Sequence, residues 1–240
     1  KMFSAKAYEI NYIYTNQGPK IYISEIINLL QKHKPKMICI PNPDSPTGTI
    51  IQEKDLMEIL SCCEKTGTVF LLDEAYHPFY DYTAVPITQN SKNLLVARTF
   101  AKAWGVAGLR IGYAVGHPET IELLNKMRPM YEVSTLSTYF IELLLDHEKE
   151  MLNSVSRINS GKLFFCEEMK KLGYKTLETN GNFLHVEFGN REQLIHKTLK
   201  NKVLYREKIN HSSLKGYSRF TAAPVDIMGK VVDLIKSAKE

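Results

Sequence analysis

No run of apolar residues in this chain approaches the roughly 20 needed to cross a bilayer as a helix, and no secretory pattern opens it. A membrane span is therefore not expected. Cysteine is scarce: Cys39, Cys62, Cys63 and Cys166 are the only four. Adjacent Cys62 and Cys63 do not readily bridge each other, and no metal-ligand spacing occurs. A disulfide framework and a zinc site drop out, leaving four reduced thiols expected to act as small buried apolar residues. There is no basic block. The 31 Lys and Arg against 26 Asp and Glu give a net charge of only +5, with both signs mixed along the chain. That excludes the positive stripe by which proteins grip nucleic acid. What remains is an ordinary globular composition, 44% hydrophobic and 24% charged over 240 residues. It is long enough for one large core or two modest ones.

The apolar pattern divides the chain. In the first half, short apolar runs alternate with helical periodicity. Ser24 is placed to cap a helix carrying Ile26, Ile27, Leu29 and Leu30. Met37-Ile38-Cys39-Ile40, Val69-Phe70-Leu71-Leu72 and Leu94-Leu95-Val96-Ala97 read as buried strands, with a fourth over 109–115. A helix over 52–65 ends at Gly67, a favoured C-terminal cap. Buried strands alternating with amphipathic helices predict an α/β fold with a parallel sheet. The character changes near Pro129. Residues 134–172 read as almost continuous helix. An alternating strand at 184–188, a helix over 192–199, strands near Val203 and Phe220, and a last helix from Pro224 follow. The expectation is a large domain over residues 1–133 and a long helix plus a smaller α+β domain over 134–240.

Open α/β sheets bind ligands outside the carboxyl ends of their strands. Three such ends carry reactive residues: Asp44-Ser45-Pro46-Thr47-Gly48, Asp73-Glu74-Ala75-Tyr76, and Arg98-Thr99-Phe100-Ala101-Lys102. An acid, a phenol and a lysine converge on one rim. A lysine in a low-dielectric site has a depressed pKa and becomes a nucleophile toward a carbonyl.

In order and spacing these segments, with Ala107-Gly108-Leu109-Arg110-Ile111-Gly112-Tyr113, resemble the fold-type-I pyridoxal-phosphate-dependent aminotransferases (class I/II), in the histidinol-phosphate aminotransferase-like branch. The resemblance implies that Lys102 binds pyridoxal 5'-phosphate as a Schiff base and serves as general base. It implies that Asp73 keeps the pyridine nitrogen protonated, so that the ring acts as an electron sink. Tyr76 would donate to the phenolic oxygen, and Thr99 and Arg110 would hold the phosphate. Downstream, Tyr205-Arg206 and Ser218-Arg219-Phe220-Thr221 fall where the branch carries its substrate-anion arginines, with Arg219 binding and Arg206 assisting. A homodimer, small-molecule amino donor and acceptor, and a cytoplasmic location are also implied. His77 and His185 read as solvated or structurally satisfied, and Trp104 as packing beside the lysine.

The chain departs from the family at three places. Asp44-Ser45 stands where an asparagine usually bonds the phenolic oxygen. Ser45 can donate there, and Asp44 can accept from a protonated phenol. Ala101 replaces a serine that ligates phosphate. Met2-Phe3 matches residues that follow the family's ring-stacking tyrosine, so roughly the first third of the family pattern has no counterpart in these residues. The resemblance implies transamination. A decarboxylase of a phosphorylated amino acid on the same scaffold, and an inactive segment that keeps only the fold, are the alternatives.

Overall fold

The computed structural model of the protein describes residues 6–15 and 18–238; Met2 and Phe3 lie outside them. A small antiparallel pair, β1 (Ile13–Thr15) and β2 (Gly18–Lys20), opens the chain, followed by α1 (Ile23–His33). Ser24 does not cap α1. The Glu25 amide already bonds the Tyr22 carbonyl, so the helix starts two residues earlier than the serine signal suggests and Tyr22 takes the cap position.

Next come β3 (Met37–Pro41), α2 (Glu53–Thr66), β4 (Val69–Asp73), β5 (Leu94–Thr99) and β6 (Gly112–Gly116). Gly67 terminates α2 in the left-handed region, with φ of 69°. The four strands form one sheet in the order β3-β4-β5-β6. The first three run parallel and β6 runs antiparallel to β5. The fourth strand starts later than expected because Ala107–Leu109 form a 3-10 turn and Arg110 adopts a left-handed conformation, which reverses the chain. β4 and β5 are central and well buried. β3 is an edge strand, so Met37 is 52% exposed and Cys39 is also exposed, against the expectation of a fully buried strand and four buried thiols. Ile26, Leu30, Leu56, Ile59, Phe70, Leu72, Leu94 and Val96 form the core between α1, α2 and this sheet.

Helices α3 (Pro118–Lys126), α4 (Thr135–Leu145) and α5 (Glu148–Lys171) follow. The long helix expected over 134–172 is thus two helices. His147 leaves helical geometry at φ −111° and ψ 31°, where Asp146 and His147 are both weak helix formers. A second sheet then forms from β7 (Lys175–Leu177), β8 (Phe183–Glu187) and β9 (Tyr217–Thr221), all antiparallel in the order β7-β8-β9. α6 (Glu192–Leu199) and α7 (Val225–Ser237) complete the chain. No strand forms at Val203. The Lys202 and Val203 amides both bond the Leu199 carbonyl, prolonging the end of α6, and only a bridge between Arg206 and Arg219 follows. Phe165, Met169, Leu184, Val186, Ile195, Phe220, Val232 and Ile235 form the second core.

The turn after β4 depends on a buried ion pair. Glu74 is 2% exposed. Its Oε2 accepts from Arg98 Nε at 3.1 Å, Arg98 Nη2 at 2.9 Å and the Thr83 hydroxyl at 2.8 Å. Its Oε1 accepts from the Ala84 amide at 2.7 Å. Removing one partner of such a pair leaves a buried charge uncompensated. Glu74→Ala is therefore expected to lower the unfolding free energy by ~3–5 kcal/mol in urea denaturation.

Candidate active site

Strand register brings the predicted residues to one rim. Pro41 pairs with Asp73, and Asp73 with Ala97, so the loops leaving β3, β4 and β5 emerge side by side. Neighbouring strands lie about 4.8 Å apart, which places those three exits within one ligand's reach. Asp73 is half-buried, and its Oδ1 accepts from the Ala75 amide at 2.9 Å. Tyr76 is 4% exposed. Lys102 is half-buried, and its Nζ sits 5.1 Å from the centre of the Tyr76 ring, within cation–π range.

The lysine turn is held from below. The Thr99 hydroxyl accepts from the Ala101 amide at 3.0 Å and donates to the Ile111 carbonyl at 3.4 Å. The Phe100 amide bonds the same Ile111 carbonyl, and the Gly105 amide closes the turn on the Lys102 carbonyl. Arg110 follows on the returning segment, exposed, with φ of 57°. Its Nη1 donates to the Ala107 carbonyl at 3.4 Å.

The loop after β3 is braced internally. Asn42 accepts from the Ile51 amide at 2.8 Å and donates to the Ile51 carbonyl at 3.2 Å. Asp44 is 7% exposed, and its Oδ2 accepts from both the Thr47 amide and the Thr47 hydroxyl. The Tyr12 phenol reaches the same corner of Asp44, Thr47 and Thr49, and burial together with the Asp44 charge pushes it up to about 12. Asp44 thus braces its own loop through Oδ2. Ser45 is exposed on the same loop.

The second sheet supplies the opposite wall. The Tyr76 and Phe183 rings meet edge-on, with centroids 5.3 Å apart. The Arg219 guanidinium lies 3.9 Å from the centre of the Phe183 ring. Lys102, Tyr76, Phe183 and Arg219 therefore form one continuous line from the first sheet to the second. Arg206 is exposed and joined to Arg219 by two backbone bonds, of 3.0 and 2.8 Å. Among the described residues, Lys102, Arg110, Arg206 and Arg219 enter none of the ion pairs formed with Asp or Glu. A set of cations left without carboxylate partners suits anionic ligands.

His185 is neither solvated nor satisfied. It is fully buried beside Arg219 in the register of β8 and β9. Its ring lies edge-on to Phe183 and Tyr217, and neither nitrogen makes a hydrogen bond of good geometry. Burial and the Arg219 charge push it down to about 4, with the Pro46 carbonyl opposing that shift. His77 is lowered by burial and by Arg98. Sequence reasoning also missed Tyr12, Asn42, the Glu74–Arg98 pair and Lys162. Their partners are 17 or more positions away in the last two cases, or lie across a loop whose shape no periodicity reveals.

A mostly parallel sheet thus presents a lysine, a carboxylate and a phenol on one rim, with Arg206 and Arg219 on the second sheet. The pattern of the family "aminotransferase class I and II" matches residues 3–228. The histidinol-phosphate aminotransferase of Caldanaerobacter subterraneus subsp. tengcongensis is 31% identical over 223 residues, 92% of this chain and 62% of that protein. That of Syntrophus aciditrophicus is 32% identical over 203 residues, 83% of this chain and 56% of that protein. The histidinol-phosphate aminotransferase structure from Clostridium acetobutylicum superimposes with a TM-score of 0.82 at 20% identity, covering 94% of this chain and 70% of that one. The chain belongs to the aminotransferase class I and II family and has the fold-type-I architecture. It spans about three-fifths of the length of the curated relatives it matches.

A histidine held at about 4 in the fold and near 6.5 when unfolded binds its proton preferentially in the unfolded chain. Its contribution is complete above the unfolded value and is lost as pH falls toward 4. The unfolding free energy should therefore drop between these limits, by as much as ~3 kcal/mol from this group. His185→Leu should flatten that slope in denaturation curves taken across the range. An unchanged slope would show that another group carries it.

Proposed function

We propose that the protein is a pyridoxal-phosphate-dependent transaminase. It moves an amino group between a small amino acid or amino-phosphate compound and a 2-oxo acid or aldehyde. The observation that carries this reading is the line Lys102–Tyr76–Phe183–Arg219, with its cations unpaired by carboxylates. The donor set fits the cofactor: an amine for its aldehyde, a carboxylate at a strand end for its ring nitrogen, a phenol beside that amine, and an arginine for its phosphate. When bound, pyridoxal phosphate supplies an electron sink in conjugation with the substrate α-carbon.

The chain's own groups do the rest. Lys102 Nζ holds the cofactor at rest and then carries the proton to and from the substrate α-carbon. Asp73 keeps a proton on the ring nitrogen. Tyr76 and Ser45 donate toward the phenolic oxygen, while Asp44 shapes the loop that presents Ser45. Arg110 pairs with the phosphate, and Thr99 holds the turn that faces it. Arg219, stacked on Phe183, receives the substrate carboxylate or phosphate, with Arg206 beside it. The relatives named above are histidinol-phosphate aminotransferases, which makes an amino-phosphate donor the first to test.

The two sheets and their separate cores support the division into domains over residues 1–133 and 134–240. A homodimer is supported by exposed apolar side chains on α3, α4 and their connection: Leu123, Met127, Met130, Tyr131 and Leu136 are 63–93% exposed. A patch of this kind marks a protein contact, and a second copy would cover it. No helix among the described residues is long and apolar enough to cross a membrane, and a cytoplasmic location accords with four unpaired thiols.

The whole protein mixed with pyridoxal phosphate should develop the visible absorbance of a lysine-bound cofactor. Lys102→Ala should abolish it. Histidinol phosphate or another amino donor should bleach it, and a 2-oxo acid should restore it. Absence of the absorbance in the unaltered protein, or release of carbon dioxide with no turnover of 2-oxo acid, would contradict the reading.

A further inference from the structure

Helix α5 carries a buried lysine that none of the roles above uses. Lys162 is 8% exposed. Its Nζ donates to the Thr179 carbonyl at 2.8 Å and to the Gly181 carbonyl at 2.9 Å. Among the described residues it enters none of the ion pairs formed with Asp or Glu, and burial lowers its pKa. Two carbonyl dipoles thus carry the solvation of a buried ammonium. An apolar side chain would fill the same space without that desolvation cost. What the ammonium adds is convergence, since it draws two carbonyls of one turn onto a single point. Gly161 beside it lets α5 pack closely on the Ala223-Pro224 segment that leads into α7, because a Cβ there would sit 1.8 Å from the Ala223 carbonyl oxygen.

The far side of that turn touches the candidate site at three places. The Gly48 carbonyl accepts from the Asn180 amide at 3.2 Å and from Asn180 Nδ2 at 3.3 Å. Gly48 approaches Thr179 so closely that a Cβ would lie 2.2 Å from the Thr179 Cβ. A Cβ on Gly181 would lie 3.0 Å from the Tyr76 ring. The next residues run into Phe183, which carries Arg219. The turn is therefore wedged between Lys162 on one side and the Ser45 loop and Tyr76 on the other.

We propose that Lys162 is a positioning residue for the site. By gathering the Thr179 and Gly181 carbonyls it fixes the turn that sets Arg219 at its distance from Lys102. Its catalytic consequence rests on the transaminase reading. Its structural consequence, the docking of Asn180 on Gly48, does not.

The test compares the unaltered whole protein, loaded with pyridoxal phosphate, with Lys162→Met and Lys162→Arg. Hydrogen exchange at the Asn180 amide is read alongside steady-state kinetics with an anionic amino donor. Lys162→Met should speed that exchange by roughly tenfold or more. It should raise KM by about tenfold with a smaller change in kcat, and leave the absorbance of the lysine-bound cofactor in place. Lys162→Arg, which can still donate to both carbonyls, should restore both values. Unchanged exchange at Asn180 in folded Lys162→Met overturns the proposal. So does faster exchange with unchanged KM, which would reduce Lys162 to packing. If Lys162→Met does not fold, Lys162→Gln keeps one donor pair and should give intermediate exchange; exchange equal to the unaltered protein overturns the proposal. Faster exchange that Arg restores, in a protein whose cofactor no amino donor bleaches, would support the docking role and count against the transaminase reading alone.

Discussion

The edge-on contact between Tyr76 and Phe183 joins the two halves of this molecule at the point where chemistry is expected. An aromatic pair of this geometry contributes only ~0.5–1.5 kcal/mol beyond the area it buries. Its importance is positional. Tyr76 leaves the end of a central parallel strand with Lys102 over its face, and Phe183 begins a strand of the second sheet with Arg219 over its own. Met151, Val155 and Trp104 close around the pair, so α5 and the lysine turn pack on the same seam. A shift of one ring would change the separation between the amine and the guanidinium, which belong to different sheets.

Around that seam, Glu74, Asp44 and Lys162 find their partners within the fold, and among the described residues the rim cations enter no ion pair with Asp or Glu. Glu74 takes up Arg98, Asp44 takes up Thr47, and Lys162 takes up two carbonyls. His185 stays neutral beside Arg219, so a second positive charge does not crowd the guanidinium. Within Asp73-Glu74-Ala75-Tyr76, Glu74 anchors the turn, and Asp73 and Tyr76 are the two residues the proposed function uses.

The strands β3, β4, β5, β8 and β9, the helix ending at Gly67 and the rim of three loops were legible in the sequence, because apolar periodicity and turn residues are local signals; the short β1, β2 and β7 were not. Lys102, Asp73 and Tyr76 were visible as residues at the ends of apolar runs that become parallel strands, and the roles proposed for them come from the family resemblance. Other features were not legible. Ser24 looked like a cap, but the Tyr22 carbonyl had already started the helix. The break at Asp146-His147 left the apolar pattern on both sides intact, so periodicity ran straight across it. Exposure of Met37 and Cys39 depends on where β3 sits in the sheet order. His185 and Lys162 look like surface residues by type, and only the second sheet and the 179–181 turn bury them. Asp44 was readable as a departure from its family, but the reason for it, a hydroxyl and an amide of Thr47, appears only when the loop closes.

Borohydride reduction tests the central claim most directly. The protein would be incubated with pyridoxal phosphate, reduced, digested and mapped by mass spectrometry. If Lys102 is the lysine placed for the cofactor, the phosphopyridoxyl label appears on the peptide containing Thr99-Phe100-Ala101-Lys102 and dominates over every other lysine. Label spread over surface lysines, with Lys102 unmodified, would contradict the assignment on which the site is built.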